Sequence, residues 1–180
     1  LLLSLMIVMV IHALTYGQAL PLNAGSERWF WLGLSGFIGF ALGDAFLFQA
    51  FVLIGPRLSM LMMALAPVLS AVMAGLFLNE RLAWLEIAGI VVTLGGILVV
   101  IGERQTSAAT QLNSLDRRRY WIGLACGFGA AVGQAGGTIL SKLGLEGGFP
   151  ALSGNVIRLS AAVILIWALA IANRQVLESY

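Results

Sequence analysis

The feature that most constrains this chain is a series of long, continuously apolar runs. Five of them, Trp29 to Ile54, Leu58 to Leu78, Leu82 to Ile101, Tyr120 to Leu143 and Pro150 to Ala172, are each long enough to cross about 30 Å of hydrocarbon at about 1.5 Å per residue. In lipid every backbone N–H and C=O must be paired within the protein, which leaves only helices and closed barrels. Barrel strands alternate polar and apolar residues over about ten positions. These runs do not alternate, so they predict helices. A sixth run, Leu1 to Leu14, is shorter than the roughly 20 residues a span requires, and predicts a helix cut short. A secretory leader is the competing reading, but no basic segment precedes the run and TYGQALPLNAGSERW offers a poor small-residue cleavage site. At the other end NRQVLESY, residues 173–180, is polar and closes no element, so the sequence reads as a fragment at both ends. The expected fold class is an all-α membrane protein, a polytopic bundle of transmembrane helices.

Composition supports this reading and excludes several functions. Hydrophobic residues make up 60% of the chain and charged ones 10%, against about 45–50% and about 25% in soluble domains. A water-soluble fold has no interior large enough for that share. The net charge of +2 comes from residues gathered in short polar breaks, so it is loop charge and not a nucleic-acid patch. Cys126 is the only cysteine and His12 the only histidine, which leaves no disulfide, no cysteine-based zinc site and no histidine relay; neither a metal nor a cofactor is expected. His12 reads best as a satisfied packing residue. Gly127-Phe128-Gly129 resembles part of a nucleotide loop, but no glycine follows at the required spacing and no strand precedes it.

The breaks organise the helices. Gly55-Pro56-Arg57 and Asn79-Glu80-Arg81 each turn the chain within a few residues, so the flanking helices are antiparallel neighbours, and Glu80 most simply caps the helix that follows. The polar stretch over 103–119 reads as a surface linker between the helices of 1–102 and those of 120–180. Trp29, Trp31, Trp84, Tyr120 and Trp121 sit at predicted helix ends, where an aromatic belt meets the interface; Trp167 lies deeper. Arg57, Arg104, Arg117, Arg118, Arg119 and Arg174 fall on one side, against Arg28, Arg81 and Lys142 on the other, which by the positive-inside rule places the linker in the cytoplasm.

Small residues recur at helical spacing at Gly36, Gly39 and Gly43, and at Gly129, Gly133 and Gly137. Such stripes let helix backbones approach closely; they read either as tight packing or as seams that slide during transport. Pro67 removes an interior hydrogen bond and predicts a kink. Polar groups inside the runs carry the functional signal, because an uncompensated charge there is costly. Asp44 is the clearest, as a proton-carrying group or as the buried partner of another polar side chain. Arg158, with Asn155 three residues earlier on nearly the same face, can clamp an anion; the alternatives are snorkelling and a structural pair. Gln49 and Gln134 add neutral hydrogen-bonding capacity. Lys142 and Glu146 lie at a helix end and read as solvated. An embedded enzyme would need paired carboxylates or an activated nucleophile, and Asp44 alone supplies neither.

Three segments occur in the order found in the EamA-type proteins of the drug/metabolite transporter superfamily. GDAFLFQAFVLIGPRLSMLMMALAPV resembles a helix pair of an EamA repeat, and APVLSAVMAGLFLNERLAWLEIAGIVVTLGGILVV resembles its end. YWIGLACGFGAAVGQAGGTILSKLGL resembles the opening helix of a second repeat, and Arg158 matches an arginine often present in the next helix. The resemblance implies ten helices in two inverted repeats, with 1–102 the last helices of the first and 120–180 the first two of the second. It also implies a multi-pass plasma-membrane protein that exports a small metabolite by alternating access; Asp44 is the candidate group for coupling that transport to protons. It places the linker outside, opposite to the arginine count. A membrane scaffold or partner-binding subunit is the alternative function.

Overall fold

The computed structural model describes residues 1–78, 82–108 and 114–177. They form six helical rods: α1 (Leu2–Tyr16), α2 (Ser26–Ile54), α3 (Pro56–Phe77), α4 (Trp84–Ala108), α5 (Ser114–Leu145) and α6 (Ala151–Leu177), with no strand among the described residues. Four of them, α2, α3, α5 and α6, are long and apolar enough to cross a membrane. Their outward faces are oily. Leu76 is 75% exposed and Val52 80% exposed, which water would not tolerate over whole helices and lipid favours.

Local chemistry sets the boundaries. The backbone N–H groups of Arg28 and Trp29 donate to the Gly25 carbonyl and start α2, and Glu27 complements the positive end of the helix. At the other end Gly55 takes φ 80°, a left-handed value, and Pro56 opens α3 at a position where its missing N–H costs nothing. α4 is capped by Glu86, whose carboxylate accepts from the Ala83 N–H at 2.8 Å. The α5–α6 turn uses two further left-handed glycines, Gly147 and Gly148.

Two rods are internally broken. α2 widens into a π-helical turn over Phe37–Leu42. α3 breaks at Ala64, three residues before Pro67, as the predicted kink requires: Pro67 has no N–H for the Met63 carbonyl and its ring crowds that group.

The sequence reading differs from the structure at the linker. α4 continues through Ala108 and α5 begins at Ser114, so much of 103–119 is helical. Glu103, Arg104, Gln105 and Arg117 to Arg119 are good helix formers, and a helix needs no apolar periodicity to form. α6 likewise runs past the predicted Ala172 to Leu177. Residues 109–113, and the predicted turn residues Glu80 and Arg81, lie outside the described residues.

The chain divides into two compact units. The first, Leu1–Leu42 with Gly136–Tyr180, packs α1 and the start of α2 on α6 around Ala24, Leu32 and Ile157, with Trp29, Leu145 and Phe149 closing that cluster. The second, Gly43–Ala135, has two small cores: Met62, Leu65, Ala66, Ile97 and Ala131 in one, and Ala50, Ile54 and Leu58 in the other.

Candidate functional site

In the first unit a basic side chain meets a distorted helix. Arg158 lies seven residues into α6, about 10 Å along its axis. Phe40, fourteen residues into α2, lies about 21 Å along a rod about 43 Å long. Both positions are deep in apolar helices. The Arg158 guanidinium sits over the Phe40 ring at 4.8 Å from its centroid, and its Nη1 donates to the buried Ser141 Oγ at 3.3 Å. Its Nε–H is buried with no hydrogen-bond partner among the described residues. Phe40 belongs to the π turn, a distortion that occurs frequently at functional sites.

Glycines make this arrangement possible. A Cβ on Gly36 would run into the Arg158 backbone carbonyl, so α2 and α6 touch backbone to backbone beside the arginine. A Cβ on Gly137 would lie 2.8 Å from Gly39 Cα and 2.9 Å from the Ser35 carbonyl, which brings α5 against the π turn. Each predicted stripe thus supplies a close approach in lipid. Of the other stripe residues, Gly43 is buried, Gly133 is half-buried, and a Cβ on Gly129 would lie 3.6 Å from the Phe46 ring, at ordinary contact distance.

The remaining predicted residues are placed as follows. Asn155 is exposed, and Ser141 and Phe40, not Asn155, are the side chains described against the Arg158 head group. Asp44 is half-buried, immediately beyond the π turn on α2, and makes no hydrogen bond or ion pair that the described residues show. Gln49 is exposed; Gln134 is half-buried and engaged with a partner. Pro67 is exposed one turn past the α3 break. No group of three or more His, Cys, Asp or Glu among the described residues is arranged to hold a metal.

Two clusters at the loop end of the first unit were not read from the sequence as sites. His12 is buried; its Nδ1–H donates to the Gln18 carbonyl at 2.6 Å, and its Nε2 accepts from the Ser153 hydroxyl at 2.8 Å in the corresponding neutral tautomer. It ties α1 to the first turn of α6, as a packing histidine should. Arg28 donates to the Glu146 carbonyl at 3.3 Å and stacks on Phe149 at 4.7 Å. Beside it is an open cleft of about 380 Å³ lined by Glu27, Arg28, Trp31, Leu143 and Glu146, all near helix ends and none of them an intramembrane polar residue of the Arg158 group. A single histidine in an apolar run signals a buried polar network. No sequence pattern named Ser153 as its partner.

These features define the class: a polytopic α-helical membrane protein with polar groups held inside apolar helices. The EamA-like transporter family profile matches residues 1–102, more than half of the chain, and the chain belongs to that family. It is therefore a multi-pass transporter of the drug/metabolite superfamily, working on small molecules in a lipid bilayer. Neither a curated protein nor a solved structure gives a significant match.

Proposed function

We propose that the full-length protein is a secondary transporter that exports a small polar or amphipathic metabolite across the plasma membrane by alternating access. The observation that supports this best is Arg158, held deep in α6 beside the π turn of α2, where its described contacts, Ser141 and Phe40, are both uncharged and leave an intramembrane charge without a counter-charge. In this reading Arg158 contacts substrate, with Asn155 toward the exposed face. Asp44 is the coupling group that takes up a proton or cation, and Gln49 and Gln134 are neutral lining groups. Gly39, Gly43, Gly129, Gly133 and Gly137 form the seams along which helices move, and Pro67 the hinge of α3. Residues 1–102 are the last helices of one repeat and 120–180 the first two of the next.

The test is flux in liposomes. Full-length protein is reconstituted, and radiolabelled metabolites are screened with and without a proton gradient. Saturable, gradient-sensitive flux that disappears in Asp44→Asn, with membrane insertion intact, is the expected result. Absence of flux across a broad panel, with correctly inserted protein, rejects transport and leaves a scaffold or partner-binding subunit.

A further inference from the structure

We infer that the counter-charge of Arg158 is supplied by the ligand, and that this ligand is the carboxylate of a small organic acid seated on the Nε–Nη2 edge of the guanidinium. The inference rests on the transporter reading and names its substrate class. Three observations carry it. The Nη1 group is occupied by Ser141 and one face of the guanidinium by Phe40, so two of the ways in which arginine binds are already used. Those contacts orient the group and supply no negative charge. The buried Nε–H lacks a partner among the described residues, and Nε and Nη2 lie along one edge of the planar fork, the edge that pairs side-on with two carboxylate oxygens.

Depth and direction argue against snorkelling. An arginine about 10 Å into an apolar helix can reach headgroups only by extending along the helix surface, whereas this side chain is turned inward onto Ser141 of α5 and Phe40 of α2. No Asp or Glu side chain is described against it: Asp44 makes no ion pair that the described residues show, Glu27 and Glu146 line the cleft at the helix ends, and Glu86 caps α4. The charge state of the ligand follows from the count of cations. Its described contacts, the Ser141 hydroxyl and the Phe40 ring, carry no charge, so a monoanion balances the single guanidinium, whereas a phosphate dianion would leave a negative charge in the bilayer. Ser141 and Phe40 are then positioning residues that set the plane of the fork. The close approach at Gly36, where α2 meets the Arg158 backbone, holds the root of the side chain.

The decisive experiment measures ligand binding and flux on the same full-length preparation. Thermal shift and calorimetry in nanodiscs compare acetate and benzoate with acetamide and benzamide, and with inorganic phosphate; radiolabelled benzoate and a panel of neutral and cationic solutes are followed in proteoliposomes. The expected result is stabilisation by the carboxylates and not by the amides. Arg158→Lys, which keeps the charge and loses the side-on edge, should weaken carboxylate binding about tenfold or more, and Ser141→Ala should weaken it by a smaller factor. The acid-against-amide comparison uses the unaltered protein, so it stands even if an Arg158 variant does not fold. Equal responses to acid and amide, a response to phosphate alone, or no response to any of these overturns the inference. Flux of neutral or cationic solutes without carboxylate binding rejects the substrate class and keeps the transporter. Carboxylate binding without flux of any solute keeps the site and rejects transport.

Discussion

At the residue scale, the informative side chains are those whose neighbours leave no choice. Gly137 faces the Gly39 backbone at a distance that admits no added carbon, whereas Gly95 on α4 has open space around it. Gly137→Ala should therefore destabilise the protein by about 1–3 kcal/mol through overpacking, and Gly95→Ala should be neutral or stabilise by up to about 1 kcal/mol through helix propensity. Melting temperatures in detergent check the pair, and equal shifts would contradict the packing assigned to Gly137. His12 makes a second case. Its ring nitrogens are both engaged and the ring lies against Tyr16 at 5.0 Å, so His12→Ala removes packing and strands the Ser153 hydroxyl. We expect a loss of about 2–4 kcal/mol for His12→Ala and about 1 kcal/mol for Ser153→Ala. The double variant should cost less than the sum, because each change breaks the same bond; a strictly additive pair would refute the contact.

At the scale of elements, broken helices carry the argument. The α3 break was legible beforehand because proline's missing N–H is a local property that no tertiary contact can restore. Pro67→Ala returns a donor for the Met63 carbonyl. It should raise the melting temperature and slow transport if α3 bends during the cycle, with flux and melting read on the same preparation. Faster or unchanged flux would remove Pro67 from the hinge. The π turn of α2 is different. Nothing in FIGFAL forbids a regular helix, and the widened turn lies where Gly39 meets Gly137 and Phe40 meets Arg158. The linker is the opposite case: its polar residues are good helix formers, and a helix without an apolar face leaves no periodic signal in the sequence.

At the scale of the molecule, the surface decides where the protein lives. Helices whose outer faces are as apolar as Val52, Leu76 and Leu85 belong in lipid. A helix that crosses once puts its two ends on opposite sides. In a Cys126→Ala background, Gly25→Cys and Gly148→Cys should react with an impermeant maleimide from the same side, because the Arg28 contacts to Glu146 and Phe149 bring their loops together. Gly55→Cys, at the far end of α2, should react from the other side. Labelling of all three from one side would refute the crossing of α2. The same experiment decides between the arginine count and the family orientation for the α4–α5 linker.

What the sequence determined by itself was everything governed by local chemistry and by the solvent: the lipid environment, helices instead of strands, the turn at Gly55-Pro56, the kink before Pro67, and two small-residue stripes suited to close contact. These follow from continuous apolar runs, fixed proline geometry and glycine's missing Cβ, none of which needs a partner to be known. Only the tertiary structure decided which stripe meets which, that Ser153 answers His12, that the guanidinium of Arg158 lies on Phe40 and Ser141 instead of beside Asn155, and that α2 widens where they meet. Such pairings join residues distant in the chain, and in an apolar surrounding many rotations of each helix bury similar surface. The choice among them rests on a few backbone approaches and polar contacts that exist only once the helices are packed.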